Sequence, residues 1–167
     1  MSGKYLIFGA TGSIGSNLSK MMAENNEVVQ LIGRDEESLK NISSETGYKY
    51  SVVDVLDPTK IESLKNEFTN EEIKGIAYCV GSIDLKPLRM VKKEDFQKCF
   101  DLNFYPIVET IKNFQESLKK NKGSVVIFST VAVRRGFTNH SIIASVKGAL
   151  EGLTAVSYTH LTLPTTL

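Results

Sequence analysis

Three regularly spaced glycines lie between the first apolar run of the chain and the first helical pattern. Phe8 is followed by Gly9-Ala10-Thr11-Gly12-Ser13-Ile14-Gly15. Backbone without side chains can approach a phosphate closely, and a helix N-terminus adds free N–H groups and a favourable dipole. We therefore predict a pyrophosphate site rather than a purely structural turn. The predicted binding residues are Gly9, Thr11, Gly12, Ser13, Ile14 and Gly15.

The end of the second apolar run offers two charged residues for the ribose of a dinucleotide. An NAD site usually has an acidic residue there, about 20 positions after the glycine turn, whereas this sequence reads Gly33-Arg34-Asp35. Arg34 suits the 2′-phosphate of NADP, because a guanidinium provides paired donors and a permanent charge. Asp35 would suit NAD if displaced by one position, and a solvated charge pair at a helix start is a third interpretation. NADP(H) is favoured, with NAD(H) as the alternative.

Strands that end at one edge of a sheet must position these residues. Five apolar runs, at 5–8, 28–32, 50–53, 73–80 and 125–128, alternate with helical patterns. The helical patterns cover 13–25, a stretch from 35, 57–68, 94–120 and 141–154. Continuous apolar strands separated by helices are typical of a parallel sheet covered on both faces. With right-handed crossovers, they predict an α/β, Rossmann-like doubly wound sheet of strand order 3-2-1-4-5.

Composition indicates one ordinary globular domain. The 167 residues are 41% hydrophobic and carry a formal net charge of +1. This balance disfavours nucleic acid and anionic membranes as partners, since both attract basic surfaces. No uncharged apolar run has the length of a membrane span, and no space for a signal peptide precedes the first strand. Cys79 and Cys99 are expected to be reduced thiols, which favours a cytoplasmic location.

In motif order and spacing, residues 4–155 resemble the short-chain dehydrogenase/reductase family. The glycine turn is one matching motif, and its spacing is closer to the extended branch than to the classical one. The resemblance implies adenine contacts for Asp54 and Val55. It also implies that Val80 and Gly81 end a segment that normally reads Asn-Asn-Ala-Gly, of which only Gly81 survives here. Asn103 matches the family's catalytic asparagine.

The family's active site has a serine after the fifth strand and then a Tyr-x-x-x-Lys helix. The tyrosine exchanges a proton with the substrate, and the lysine lowers the tyrosine pKa and holds the nicotinamide ribose. Lys147 matches the lysine, and the serine position falls on Thr130, with Ser129 beside it. The tyrosine position is Ile143, which can neither give nor take a proton. The resemblance therefore implies altered or lost acid catalysis.

His140 is the candidate substitute for the missing acid. It lies three positions before Ile143, near the same helix face if the helix has begun by then. An unperturbed imidazole has a pKa of about 6.5, which suits acid–base work. A partly exposed histidine beside a helix cap is the alternative interpretation.

The resemblance implies an NAD(P)-dependent oxidoreductase that transfers hydride between NADP(H) and a carbonyl or alcohol substrate. A non-catalytic dinucleotide-binding protein, such as a sensor or scaffold, is the alternative, and cofactor turnover on a substrate panel would separate the two. No metal site is predicted. The long fourth helix and the Lys147 helix resemble subunit-pairing helices of the family, so we expect a homo-oligomer for an intact parent.

The resemblance ends within the Lys147 helix, whereas family members continue with further strands. The chain instead ends in residues 156–167, of which Val156 to Thr165 resemble one translated frame of a transposon-derived sequencing adapter. We therefore expect an incomplete NAD(P)-binding Rossmann domain over 1–155, lacking its C-terminal strands, and a non-native tail over 156–167. Alone, such a chain is expected to aggregate or bind cofactor weakly, because the fifth strand becomes an unpaired edge.

Overall fold

The computed structural model of the chain describes residues 3–161, which form one parallel sheet with helices on both faces. The strands are β1 (Lys4–Phe8), β2 (Val28–Gly33), β3 (Lys49–Val52), β4 (Ile73–Tyr78) and β5 (Ser124–Ile127). Their order is β3-β2-β1-β4-β5, and all four pairings are parallel. This confirms the predicted doubly wound order.

Six helices connect or follow the strands. They are α1 (Ser13–Glu24), α2 (Glu36–Thr46), α3 (Pro58–Glu67), α4 (Lys93–Asn103), α5 (Tyr105–Lys120) and α6 (Ser141–Leu161). Two 3₁₀ turns, Leu88–Met90 and Val131–Val133, precede α4 and α6 respectively. No helix among residues 3–161 is both long and apolar enough to cross a membrane.

The prediction of one continuous helix over 94–120 is wrong, because the structure divides this stretch into two helices, α4 and α5. Phe104 lies between them with φ −125° and ψ −62°, and Pro106 occupies the first turn of α5. Proline has no N–H to donate and its ring clashes with the carbonyl four residues earlier, but the first turn of a helix tolerates it. The chain therefore ends one helix and starts another.

The last helix is longer than the pattern predicted. It continues past 154 to Leu161, so it includes the first residues of the predicted tail at 156–167. The segment from Leu153 to Leu161 contains no glycine or proline that would end a helix. Residues 162–167 of that predicted tail lie outside the described residues.

The core forms on both faces of the sheet because successive strand side chains point in opposite directions. Leu6, Phe8 and Tyr78 belong to the apolar cluster that includes residues of α3 and α5. Ile7 and Leu31 belong to the cluster that includes residues of α1 and α2. A third cluster joins α4 to α6 through the buried side chains of Cys99, Ile142, Ile143 and Val146.

The Tyr78 hydroxyl lies buried in the first cluster, and its effect on stability can be measured. Its ring stacks on Phe8 with 5.5 Å between centroids, and its buried hydroxyl has no hydrogen-bond partner among the described residues. Burial raises the pKa of this phenol, so the group stays neutral. Burying a hydroxyl without a hydrogen bond costs desolvation free energy that no new bond offsets. We therefore expect Tyr78→Phe to leave the free energy of unfolding unchanged or raise it by about 1 kcal/mol.

Tyr48→Phe is the matched control for this measurement by urea denaturation. The Tyr48 hydroxyl donates to the Glu27 carbonyl at 2.8 Å, so its removal should lower the free energy of unfolding by about 1 kcal/mol. A loss of stability in Tyr78→Phe equal to that in Tyr48→Phe would show that the Tyr78 hydroxyl has a partner.

Candidate active site

A cleft lies at the carboxyl ends of β1, β2 and β4, where the strand order reverses. Ligands of doubly wound sheets bind at such switch points. The cleft has a volume of about 270 Å³ and is lined by Gly9, Thr11, Gly12, Gly33, Arg34, Val53, Asp54, Val55, Cys79, Val80, Gly81, Ser82 and Leu102. A larger groove of about 490 Å³ lies beside Phe68 and Phe114, but it includes none of the predicted site residues.

The glycine turn is packed too closely for side chains at two of its three glycines. Gly9 has φ +74°, and a Cβ there would lie 2.9 Å from backbone atoms of Cys79 and Val80. A Cβ at Gly15 would overlap the Gly9 carbonyl oxygen. Gly12 differs, because its φ is −76° and a Cβ there would meet only that same oxygen, at 3.4 Å. Gly9 and Gly15 thus shape the turn, whereas Gly12 has room for a Cβ.

The N-terminus of α1 faces this turn without a competing carboxylate. Gly12 is the N-cap, no side chain caps the helix, and its first turn contains no acidic residue. An uncapped helix N-terminus with a bare glycine before it can bind a phosphate through its free N–H groups. Of the predicted binding residues, Gly9, Thr11 and Gly12 line the cleft, whereas Ser13, Ile14 and Gly15 do not.

Arg34 and Asp35 have different roles after β2. Arg34 is exposed and lines the cleft. The Asp35 carboxylate caps α2 instead, accepting the Ser38 N–H at 2.8 Å. The hydrogen bonds with Ser38 are the main reason that the pKa of Asp35 is lowered, with a smaller contribution from the Arg34 charge. Of these two residues, only Arg34 lines the cleft.

Asp54 and Val55 line the cleft just after β3. One oxygen of Asp54 accepts the Leu56 N–H at 3.0 Å, which holds the carboxylate at the strand end. Val55 is buried in the core cluster below it. The two residues predicted to contact adenine therefore line the same cleft as Arg34.

Asn103 ties the end of α4 to the loop after β4. It is fully buried, its Oδ1 accepts the Ser82 N–H at 3.2 Å, and its Nδ2 donates to the Cys99 carbonyl at 3.1 Å. A Cβ at Gly81 would lie 2.8 Å from Asn103 Oδ1 and 3.8 Å from Lys147 Nζ. The structure therefore brings Gly81, Asn103 and Lys147 together.

The ammonium group of Lys147 lies beside Gly81, which lines the cleft. The side chain is half-buried and has no hydrogen bond or ion pair with the described residues. Burial lowers the pKa of Lys147, and the nearby Cys99 thiol opposes the shift. Burial likewise raises the pKa of Cys99. The three N–H donors of Lys147 are free for the hydroxyl groups of a ligand.

Of the two hydroxyl residues after β5, Thr130 is the one available for chemistry. The Ser129 hydroxyl donates to Glu151 Oε1 at 2.6 Å. The Thr130 oxygen accepts the Ala132 N–H at 3.3 Å, which caps the second 3₁₀ turn. A hydroxyl that accepts one bond keeps its own proton for donation.

The position four residues before Lys147 is apolar and closed to solvent. Ile143 is 1% exposed and lies in the cluster that joins α4 to α6. No proton can be exchanged there.

His140 does not lie on a helix face shared with Ile143, because α6 begins at Ser141. The His140 carbonyl accepts the Ala144 N–H at 2.9 Å, so the residue takes the cap position. Its Nδ1 lies 2.7 Å from the Thr138 carbonyl oxygen, and its ring packs against Phe137. A carbonyl only accepts, so Nδ1 carries a proton in this contact. This geometry matches the cap interpretation, and a catalytic role for His140 stays a prediction.

Sequence reasoning missed the cleft residues Gly33, Val53, Cys79, Ser82 and Leu102, and it missed Cys99 beside Lys147. The spacing of Cys99 and Asn103, one helical turn apart, was the available signal that both side chains share a face. In the part of the chain that the structure describes, no three His, Cys, Asp or Glu residues are grouped as a metal site would require.

Comparisons with known proteins agree with this geometry. A family model described as short chain dehydrogenase matches residues 4–162. Carbonyl reductase family member 4 of Xenopus tropicalis is 25% identical over 151 residues, which cover 87% of this chain and 64% of that protein. The NADPH-dependent 1-acyldihydroxyacetone phosphate reductase of Schizosaccharomyces pombe is 26% identical over 142 residues, covering 83% and 48%.

One solved structure has the same fold as this chain, and its low sequence identity supports no statement beyond the fold. The short-chain type dehydrogenase/reductase of Mycobacterium ulcerans superposes with a TM-score of 0.89 at 18% identity, over 97% of this chain and 63% of that one. The chain thus spans less than two thirds of the length of each of these three proteins.

Proposed function

Because this chain belongs to the short-chain dehydrogenase family, we propose that it binds NADP(H) in the cleft and belongs to an oxidoreductase acting on carbonyl or alcohol substrates. One observation carries the proposal. The glycine turn leaves no room for a Cβ at Gly9 or Gly15, and it opens onto the uncapped N-terminus of α1 beside a free Arg34. That combination suits a pyrophosphate with a further phosphate on the ribose.

The residues present fit this cofactor along the whole cleft. The N–H groups at the start of α1 would hold the pyrophosphate, Arg34 would pair with the 2′-phosphate, and Asp54 would contact the adenine. At the other end, Lys147 would donate to the ribose hydroxyls next to the nicotinamide, and Asn103 holds the adjoining loop. The Schizosaccharomyces pombe relative is named as NADPH-dependent, which supports the proposal of NADP over NAD for this chain.

Bound NADPH supplies a hydride for a carbonyl carbon, and the chain must position that carbonyl. Thr130 does so in this proposal by donating its hydroxyl proton to the carbonyl oxygen in a hydrogen bond. Ile143 supplies no acid, so a water molecule delivers the proton to the developing alkoxide. The reaction is therefore slow in this chain compared with a tyrosine-containing site.

A non-catalytic dinucleotide-binding protein is the second candidate. The burial of Ile143 in an apolar cluster favours it, since this arrangement closes the usual position of the acid. Such a protein binds NADPH as tightly as the enzyme would, but it turns over no carbonyl in a substrate panel.

The location and assembly of the protein are part of the same proposal. Cys79 and Cys99 are both free thiols, which supports a reducing compartment such as the cytoplasm. The homo-oligomer of an intact parent stays a prediction.

Titration with NADPH, followed by its fluorescence, tests the cofactor proposal. We expect NADPH to bind and Arg34→Ala to weaken it by about 10- to 100-fold, because one or two charge-assisted hydrogen bonds to the 2′-phosphate are lost. NADH lacks this phosphate, so its affinity should not change. Arg89→Ala, a change of the same type outside the cleft, should leave both affinities unaltered. Absence of NADPH binding, or an equal loss for NADH, would contradict the proposal.

A further inference from the structure

Lys147 is a partly buried lysine whose amine has no charged partner. Among the described residues, four lysines are partly buried: Lys4, Lys74, Lys86 and Lys147. Lys4 and Lys86 each form an ion pair with a carboxylate. The side-chain amines of Lys74 and Lys147 form no ion pair or hydrogen bond with the described residues. Of these two, Lys147 is the one beside the cleft, because Gly81 lines the cleft and Lys74 lies at the opposite end of β4.

The surroundings of Lys147 disfavour a charged amine. Ile143 and Val146, which precede it on α6, are closed to solvent and form an apolar cluster with Cys99 of α4. Cys99 is the titratable group that acts on Lys147, and its thiol stays neutral because burial raises its pKa. Burial lowers the pKa of Lys147 itself. A larger fraction of this amine is therefore neutral than of a solvent-exposed lysine.

A neutral lysine amine in desolvated surroundings is a nucleophile toward carbonyl compounds. We propose that Lys147 captures small aldehydes by forming an imine with them. The cleft beside it, of about 270 Å³, has room for such a molecule. An aldehyde is favoured over a ketone because its carbonyl carbon is less crowded and more electrophilic.

The reaction needs neither an oxidant nor a cofactor. The Lys147 Nζ attacks the aldehyde carbon, and a C–N bond forms while the carbonyl oxygen becomes a hydroxyl. The C–O bond then breaks, and the oxygen leaves as water with the two hydrogens of the amine. The product is a C=N double bond between the aldehyde carbon and Nζ. This activity of Lys147 is therefore independent of the proposed hydride transfer.

Reductive trapping with butanal and cyanoborohydride measures the imine. Cyanoborohydride reduces an imine to a stable secondary amine, whereas it leaves a hemithioacetal on a cysteine unreduced. The full chain is treated with limiting butanal at neutral pH, and peptide mass spectrometry then gives the initial labelling rate of each lysine. We expect Lys147 to be labelled at least about tenfold faster than Lys74 and than the exposed lysines, because its amine is desolvated.

Two arginine variants assign the fast labelling to one residue. Lys147→Arg keeps the positive charge but cannot form the imine, so it should remove the fast-labelled site. Lys74→Arg is the matched control at the other end of β4, and it should leave the fast labelling unchanged. Thermal unfolding of both variants shows whether each folds as the parent does.

Saturating NADPH separates this inference from the cofactor proposal. If Lys147 would donate to the ribose hydroxyls of NADPH, the cofactor should slow labelling of Lys147 by at least about tenfold and leave Lys74 unchanged. Fast labelling that NADPH does not slow would contradict the placement of the cofactor at Lys147 and leave the imine. Labelling of Lys147 no faster than that of Lys74, or a fast site that persists in Lys147→Arg, would overturn the imine whatever NADPH does.

Discussion

Replacing Ile143 by tyrosine is expected to raise the rate of NADPH-dependent ketone reduction by about 100-fold or more, because a positioned general acid contributes about 10²- to 10⁴-fold. The groups that a tyrosine needs are already in place. Lys147 lies one helical turn further along α6 with a free ammonium, which would lower the pKa of the new phenol. Thr130 has a hydroxyl proton to donate to the same carbonyl oxygen.

The cost of this substitution lies in packing. Ile143 is 1% exposed among Ile142, Val146 and Cys99, so a larger ring must displace neighbours, at about 1–3 kcal/mol of stability. Ile143→Phe is therefore the matched control, since it introduces the same ring without the acid. Both variants are compared with the parent by the loss of NADPH absorbance on a ketone panel, after NADPH binding has been measured for each.

Two results would contradict the proposed role of a tyrosine at position 143. The tyrosine variant could match the phenylalanine variant, which would show that position 143 does not reach the substrate. The parent could already reduce ketones as fast as the tyrosine variant, which would mean that another group is the acid. In that case, His140→Ala should lower the parent's rate if His140 is that group, and an unchanged rate would exclude it.

The sheet could be predicted because its signals are local. A parallel strand covered on both faces is a continuous apolar run, and five such runs separated by helical patterns leave few topologies open. The start of α3 could also be predicted from local signals. Asp57 provides a capping side chain, and Pro58 occupies the first helical position.

The break at Phe104 was missed because periodicity describes one helix as well as two consecutive helices. Apolar residues recur at helical spacing on both sides of the break, and Pro106 alone signals it. The end of α6 was predicted too early, because the helix was taken to end where the family resemblance ends. No glycine or proline interrupts the helix at that point.

Residue spacing alone predicts the geometry of the site only where one segment supplies it. The glycine spacing after Phe8 predicts a turn between β1 and α1, and the binding roles of Gly9, Gly12 and their neighbours stay predictions. Whether Arg34 or Asp35 is left for the ribose of a ligand depends on the hydrogen bond between the Ser38 N–H and the Asp35 carboxylate. Residue spacing does not reveal this bond. The position of Cys99 beside Lys147 depends on the packing of α4 against α6, which are far apart in the chain.

The largest combined loss of binding and stability is expected for Gly15→Ala. Within an isolated helix, alanine is more favourable than glycine by about 1 kcal/mol. Here, the new methyl group would overlap the Gly9 carbonyl oxygen and lie 2.8 Å from the Ala10 Cα, so backbone must move. We expect a net loss of about 1–3 kcal/mol in the free energy of unfolding. Moving the turn should also weaken NADPH by about 100-fold, the equivalent of two charge-assisted hydrogen bonds to the pyrophosphate.

Two further alanine variants make this result specific. Gly152→Ala lies in α6 with nothing within 4 Å of the new Cβ, so it should raise stability by about 0.5–1 kcal/mol and leave NADPH binding unchanged. Gly12→Ala has an ordinary φ and room for its Cβ, so it should keep the parent's stability. It should weaken NADPH by at least about tenfold, because in the proposed binding mode the methyl group would face the phosphates. Urea denaturation and NADPH titration separate the three variants. If Gly12→Ala binds NADPH as the parent does, the pyrophosphate does not lie on this turn, even if Gly15→Ala unfolds the protein.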